Sequence, residues 1–128
     1  MNKTIYSGTI WEKQVAYSRA RRVGNIVAVA GTTAVDHDGE IVAPGDIGAQ
    51  AEFIFKKIER ALRECDASLK DVVRTRMFVT SIENFDAIAR AHRNAFEGID
   101  PVASCIQISG LVDPRLLIEI EVDAIVAS

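Results

Sequence analysis

The most regular pattern in this 128-residue chain is Leu117-Ile118-Glu119-Ile120-Glu121-Val122-Asp123-Ala124-Ile125-Val126. Apolar residues occupy every second position, and three acidic residues, Glu119, Glu121 and Asp123, alternate with them. A period of two predicts a β-strand that buries one of its faces. The three carboxylates on the other face need an explanation, because a carboxylate in a protein is solvated, paired or placed to act on a ligand.

A second strand is predicted just before this one, over residues 103–109, and a loop over 110–115 joins the two. A further strand is predicted over 72–80, in which Val73, Thr75, Met77 and Val79 alternate with Val72, Arg74, Arg76 and Phe78. An arginine within a strand lies at a wet edge or faces an anion. Arg74 or Arg76 is therefore the best candidate for pairing with a ligand carboxylate or with Glu119 or Glu121.

The N-terminal part of the chain predicts three short strands. Residues 4–7 alternate weakly and lead into a loop, and the arginine-rich segment 15–22 is interpreted as a solvated strand or hairpin face. After the turn dipeptide Gly24-Asn25, the small and branched residues of 26–31 predict a strand covered on both faces. Gly31 at its end indicates a bulge or a close approach of another group to the backbone.

Two segments predict amphipathic helices. The first begins after Asp46 as its N-cap, and its apolar stripe is Ile47, Ala51, Ile54, Ile58, Ala61, Leu62 and Cys65. The stripe of the second is Ile82, Phe85, Ile88, Ala89, His92, Ala95 and Phe96, with Gly98 just past its end. His92 is interpreted as a hydrogen-bonded core or interface residue. A catalytic role is the alternative, because histidine titrates near neutrality.

The resulting order, β-β-β-α-β-α-β-β, predicts an α+β fold with two helices on one face of a mixed sheet. The whole chain, 1–128, is expected to form one domain. Two helices cover only one face of the sheet, and the other face carries the acidic residues and Arg74 or Arg76. We therefore expect the uncovered face to be buried against another subunit.

Composition excludes several classes of protein. The net charge of −3 disfavours a nucleic-acid partner, and no apolar run approaches the roughly 20 residues that span a bilayer, so no membrane association is expected. The first eight residues lack the apolar region of a secretory signal. Cys65 and Cys105 are therefore expected to be reduced thiols in a cytoplasmic protein.

Local catalytic motifs are missing from the sequence. Asp36-His37-Asp38-Gly39 is interpreted as a polar turn rather than a metal site, and neither a metal nor a cofactor is expected. Cys105, a glutamate of the last strand and an arginine of a third strand could share one pocket, with the arginine binding a small anion and the glutamate acting as a general base. The alternative is that Cys105 packs in the core and the acids are solvated.

The chain nevertheless resembles the YjgF-like, or reactive intermediate deaminase (Rid), family over nearly its whole length. The matching segments are Tyr17, Gly24-Asn25, the strand into Gly31, Gly39-Glu40, Ala49-Gln50-Ala51, Asp71-Val72-Val73-Arg74-Thr75, Phe78-Val79, Pro101, Ser104-Cys105 and Ile118-Glu119-Ile120-Glu121. The resemblance implies a chorismate-mutase-like α+β fold. It also implies a homotrimer with clefts between subunits, in which a small 2-imino or 2-enamino acid is hydrolysed to a keto acid and ammonia.

The resemblance also implies roles for particular residues. Glu119 would position or activate the water, and Tyr17, Gly31 and Cys105 would line the pocket. Two positions depart from the family pattern: Ala103 stands where an arginine binds the substrate carboxylate, and Ala30 stands where a serine precedes the glycine. Non-classical branches of the family resemble this sequence. Arg76 could substitute for the arginine, and His92 is a further candidate for substrate binding.

Two functions follow from these observations. The first is a hydrolase or deaminase acting on an imine, an enamine or a related reactive metabolite, although the absent arginine argues against 2-imino acids as its substrates. The second is a trimeric binding or stress protein without catalytic activity, whose clefts hold a metabolite. An older label of this family, endoribonuclease, is disfavoured by the net acidity and by the lack of an aromatic and basic patch.

Overall fold

The computed structural model describes residues 1–127, which form one six-stranded sheet with three helices. The strands are β1 (Asn2–Ile5), β2 (Ala20–Val23), β3 (Ile26–Thr32), β4 (Val72–Val79), β5 (Val102–Gln107) and β6 (Ile118–Ile125). The helices are α1 (Ile10–Val15), α2 (Ile47–Glu64) and α3 (Phe85–Phe96), and a 3-10 turn, Leu69–Asp71, precedes β4. The predicted α+β class and order are confirmed, with α1 as an addition.

The strands lie in the order β1-β2-β3-β6-β4-β5, and only β4 and β5 are parallel. The predicted mixed sheet is thus confirmed, and β6, the strand with three acids, lies between β3 and β4. No helix within residues 1–127 is long and apolar enough to cross a bilayer.

The core lies between one face of the sheet and the two long helices. Four apolar residues of β6 are fully buried there: Ile118, Ile120, Val122 and Ala124. The acids of β6 alternate with them and lie on the face without helices, which we call the open face. The period of two therefore gave the correct orientation of this strand.

The helix predictions are confirmed in most respects. Asp46 caps α2 by accepting a hydrogen bond from the backbone N–H of Ala49 at 3.0 Å, and every residue of its predicted stripe is buried. Helix α3 begins at Phe85 rather than at Ile82, which is exposed. Its buried residues are Ile88, Ala91 and Phe96, so Ala91 replaces the predicted Ala89 and Phe85 is exposed. Gly98 follows its end with a positive φ.

The N-terminal predictions need two corrections. Strand β1 starts at Asn2 rather than at residue 4, and the segment predicted as a loop contains α1. Glu12 stabilises the start of this short helix, because its carboxylate accepts hydrogen bonds from the backbone N–H groups of Ser7, Gly8 and Thr9. Thr9-x-x-Glu12 is a capping box, so the signal was present in the sequence.

The sequence suggested that the arginine-rich segment is solvated, but one of its arginines is buried. Arg22 is only 6% exposed, and its guanidinium donates hydrogen bonds to the carbonyls of Gly24, Cys65 and Asp66. These bonds join the β2–β3 turn to the carbonyl end of α2, where unpaired carbonyls need donors. Arg22 is therefore a structural residue.

In two strands the buried side chains differ from those that the sequence predicted. A register shift between Val72 and Arg74 puts Val72 on the buried face and leaves Val73 exposed, so the predicted alternation of β4 is out of phase before Arg74. In β3, the helices cover Val27 and Val29, whereas Ile26 and Ala28 are exposed. A single chain thus covers one face of β3, not both.

Candidate functional site

The end of β3 brings its backbone against the side chain of Glu119. The register between β3 and β6 shifts between Val29 and Thr32, which is the bulge that Gly31 predicted. A Cβ atom on Gly31 would lie 2.5 Å from Oε2 of Glu119, which is closer than Cβ atoms come to such neighbours in real structures. Gly31 therefore provides the space in which the carboxylate of Glu119 lies.

The carboxylate of Glu119 is partly buried, yet no group within residues 1–127 donates a hydrogen bond to it or forms a salt bridge with it. Burial raises the pKa of Glu119, the negative charge of Glu121 raises it further, and the positive charge of Arg19 opposes both effects. A carboxylate of raised pKa with free lone pairs is suited to accept a proton from water.

Arg19 also contacts the backbone of Gly31. Its Nη1 donates hydrogen bonds to the carbonyl oxygen of Gly31 at 2.9 Å and to Oγ1 of Thr32 at 3.0 Å. The hydroxyl of Thr32 donates in turn to the carbonyl of Ala30 at 2.8 Å. The sequence pattern placed Arg19 on a solvated face, and no local signal distinguishes it from Arg21 and Arg22.

Three further residues border this region. Tyr17 is exposed and follows α1, two positions before Arg19. Ala30 is partly buried beside Gly31, and its backbone N–H donates to the carbonyl of Arg19. Lys57 of α2 donates to the carbonyls of residues 33 and 35, and burial followed by the charges of Arg19 and Arg60 lowers its pKa to about 8. This lysine holds the backbone that follows the bulge.

Arg76 pairs with the other two acids of β6. Its Nη1 lies 3.3 Å from Oε1 of Glu121 and 3.0 Å from Oδ2 of Asp123, while Nε of Arg74 lies 4.0 Å from Asp123. The predicted pairing of Arg76 with Glu121 is thus present, whereas Glu119 lies outside this cluster. Asp123 is a further member of this cluster.

A groove of about 620 Å³ lies on the helix side of the sheet, between α3 and the edge strand β5. Met77, Phe85, His92 and Ala103 contribute to its mainly apolar lining. His92 is hydrogen-bonded to Oγ1 of the buried Thr75 at 2.8 Å, and burial lowers the pKa of its imidazole. His92 therefore forms the hydrogen bond expected of a core residue, and it also reaches the groove.

Cys105 lies on the groove side and not with Glu119. It pairs in register with the buried Met77, and residues paired in a parallel ladder point to the same face, so Cys105 packs against the core. Both cysteines are free, and burial raises the pKa of the Cys105 thiol. Within one chain, the predicted site residues other than Arg76 therefore form two groups. One surrounds Gly31 and Glu119, and the other borders the groove with Ala103.

Comparison with known proteins links this arrangement to a family. The family model described as Endoribonuclease L-PSP matches residues 11–126. The chain is 33% identical over 122 residues to an uncharacterized protein of Streptomyces coelicolor, covering 95% of this chain and 90% of that protein.

Two characterised or solved relatives extend this result. The chain is 34% identical over 104 residues to the 3-aminoacrylate deaminase RutC of Acinetobacter baylyi, covering 81% of this chain and 82% of that protein. It also superimposes, with a TM-score of 0.89 and 41% identity, on Rv2704 of Mycobacterium tuberculosis, described as a member of the YjgF/YER057c/UK114 family. That match covers 98% of this chain and 100% of the other.

Proposed function

Because this chain belongs to the endoribonuclease L-PSP family, also called YjgF or Rid, we propose that it is a small-molecule hydrolase that deaminates an imine, an enamine or a related reactive metabolite. The observation that carries this proposal is the partly buried carboxylate of Glu119, which has no partner within residues 1–127 and lies in the space left by Gly31. Similarity to a 3-aminoacrylate deaminase supports the same class of reaction.

Glu119 would act on the water that attacks the substrate. Water adds to the carbon of the protonated C=N bond while the carboxylate takes one of its protons, which gives a neutral carbinolamine. The carboxyl returns this proton to the nitrogen. The carboxylate then takes the hydroxyl proton as the C–N bond breaks, so that ammonia leaves and the carbonyl forms. An enamine first takes a proton from solvent on carbon, which gives the same protonated imine. The raised pKa of Glu119 strengthens it as the base in the first step.

The reaction would take place in clefts between the subunits of a homotrimer. One chain keeps the Gly31 region and the groove apart, so a second copy is needed to bring the two groups of residues together. The open face supports association, because it exposes apolar side chains that a neighbouring copy would cover: Val23, Ile26, Val102, Ile106 and Ile125. Light scattering should give a mass three times that of one chain, and a monomer would contradict the proposal of clefts between subunits.

The activity is tested by Glu119→Gln with Glu121→Gln as the matched control on the same strand and face. Ammonia release is measured from 3-aminoacrylate, 2-aminoacrylate and an imine without a carboxylate. We expect Glu119→Gln to lower kcat by about 10²–10⁴-fold, the range for a lost general base, and Glu121→Gln to have a much smaller effect. Equal rates for the wild type and Glu119→Gln would refute the role of Glu119.

A trimeric metabolite-binding protein without catalytic activity is the second candidate. It is favoured by one observation: the groove has the methyl group of Ala103 where the resemblance implies a substrate-binding arginine. A wild-type protein that accelerates none of the three reactions but gains thermal stability from small carboxylates would support it, since a ligand stabilises the state that it binds. In either role we place the protein in the cytoplasm, where the thiols of Cys65 and Cys105 stay reduced.

A further inference from the structure

The Gly31 region contains a positive charge as well as a base. Arg19 binds the carbonyl of Gly31, and Glu119 lies over the α-carbon of the same residue. The guanidinium and the carboxylate thus both lie beside Gly31, yet they are not within salt-bridge distance of each other. A small molecule could therefore contact both groups at once.

Arg19 has unused donors in a fixed position. Both of its hydrogen bonds come from Nη1, and within residues 1–127 neither Nε nor Nη2 donates to a protein acceptor. Nε and Nη2 form the edge of a guanidinium that binds a carboxylate through two parallel hydrogen bonds. Because Nη1 is anchored on Gly31 and Thr32, this edge is held in place before a ligand arrives.

The other arginines near the candidate site are already paired. Arg76 lies against Glu121 and Asp123, and Arg93, which borders the groove, is paired with Glu97 at 3.2 Å. A ligand carboxylate at either position would compete with a carboxylate of the protein. Arg19, by contrast, forms no salt bridge within residues 1–127.

We propose that Arg19 binds the carboxylate of the substrate, in place of the arginine absent at Ala103. This inference rests on the proposed function and names its substrate class: a short imino or enamino acid whose carboxylate lies on the Nε and Nη2 edge of Arg19. Its C=N carbon then lies toward Glu119. The product is the corresponding oxo acid.

The first test measures binding and does not depend on catalysis. Pyruvate and its uncharged analogue pyruvamide are titrated into wild type, Arg19→Gln, Arg19→Lys and the control Arg21→Gln, which removes an exposed charge from the same segment. We expect wild type to prefer pyruvate, and Arg19→Gln to weaken pyruvate binding about tenfold to a hundredfold while leaving pyruvamide unchanged. Arg19→Lys should restore part of the loss, and Arg21→Gln should bind as wild type does.

The second test separates binding from a structural role. KM and kcat are measured for 3-aminoacrylate and for an imine without a carboxylate, with thermal unfolding as a check on folding. Arg19→Gln should raise KM for the carboxylate substrate alone. An equal loss on both substrates would make Arg19 only a support for the bulge, and unchanged pyruvate binding, or none in the wild type, would overturn the proposal. Absence of catalysis with Arg19-dependent pyruvate binding would refute the proposed function but keep this inference.

Discussion

Strand β6 holds two kinds of carboxylate within five residues. Glu121 and Asp123 share the guanidinium of Arg76, at 3.3 and 3.0 Å, whereas Glu119 has no partner within residues 1–127 and a raised pKa. All three lie on the same face of the same strand. The difference comes from their neighbours, since the bulge at Gly31 gives Glu119 a space and Arg76 neutralises the other two.

This difference separates a structural role from a functional one. Paired carboxylates at a partly exposed site contribute modestly to stability and offer a ligand little, because their lone pairs are already engaged. An unpaired and partly buried carboxylate costs stability, so its presence indicates a task that requires it. The same argument separates Arg76, which is paired, from Arg19, which has free donors.

The largest effect is expected from filling the space beside Glu119. In Gly31→Ala the new Cβ would lie 2.5 Å from Oε2, so the carboxylate must move by about 1 Å. A misplacement of that size costs about a hundredfold in rate. Deamination rates of Gly31→Ala and Gly110→Ala, whose Cβ would meet open space, test this expectation.

The stability of Gly31→Ala should change little, because the displaced atoms are the far end of a flexible side chain and Gly31 lacks a positive φ. Full activity in Gly31→Ala would show that Glu119 does not depend on this space. The contrast between Glu119 and the paired acids would then lose its functional meaning.

A smaller effect is expected from removing the cation of the paired group. Arg76→Met leaves Glu121 and Asp123 on one face, and within residues 1–127 the remaining salt-bridge partner of Asp123 is Arg74, at 4.0 Å. We expect the free energy of unfolding to fall by about 1 kcal/mol, since these side chains are partly exposed. Urea titration at low and high salt measures this loss, which salt should reduce.

Arg76→Met also tests which arginine binds the substrate carboxylate. If KM for carboxylate substrates rises in this variant more than in Arg19→Gln, Arg76 is the residue that substitutes for the absent arginine. The two arginines would then exchange roles, and pairing within the chain would be a poor guide to function.

The sequence predicted most of the fold because its signals are local. The alternation of β6, the stripe of α2 and the Asp46 cap each depend on neighbours along the chain, and all three are confirmed. The signal for a bulge at Gly31 was also correct. Even the short α1 had a local signal, Thr9-x-x-Glu12, which was overlooked.

The site was harder to predict because its contacts join distant residues. Nothing near Arg19 in the sequence shows that it binds Gly31 and Thr32, while Arg22 caps α2 more than forty residues away. The alternation of residue types along this segment does not distinguish the two arginines. Cys105 was expected beside Glu119 because their strands seemed adjacent, but β4 lies between β5 and β6, and the two side chains lie on opposite faces.

The smallest effect concerns the stability cost of Glu119 itself. Its pKa in the folded protein lies above the ordinary glutamate value of 4.5, so the folded state binds the proton more tightly than the unfolded state does. Stability should therefore fall as pH rises from about 4.5 through the folded pKa, and the cost persists at neutral pH. Glu119→Gln removes this cost, and we expect it to stabilise the protein at pH 7 by less than about 1 kcal/mol, because solvent screens a partly exposed group.

Urea titrations at pH 4 and pH 7 measure this difference. Glu119→Gln should gain stability at pH 7 and little at pH 4, where the carboxyl is largely protonated in the folded state. Glu121→Gln is the matched control and should lose stability at pH 7, because it gives up a charge partner of Arg76. Opposite signs for two identical substitutions two residues apart would show that the neighbours, not the strand, decide what each carboxylate does. A loss in both variants would mean that Glu119 is held by a favourable contact, and the case for Glu119 as a free base would fail.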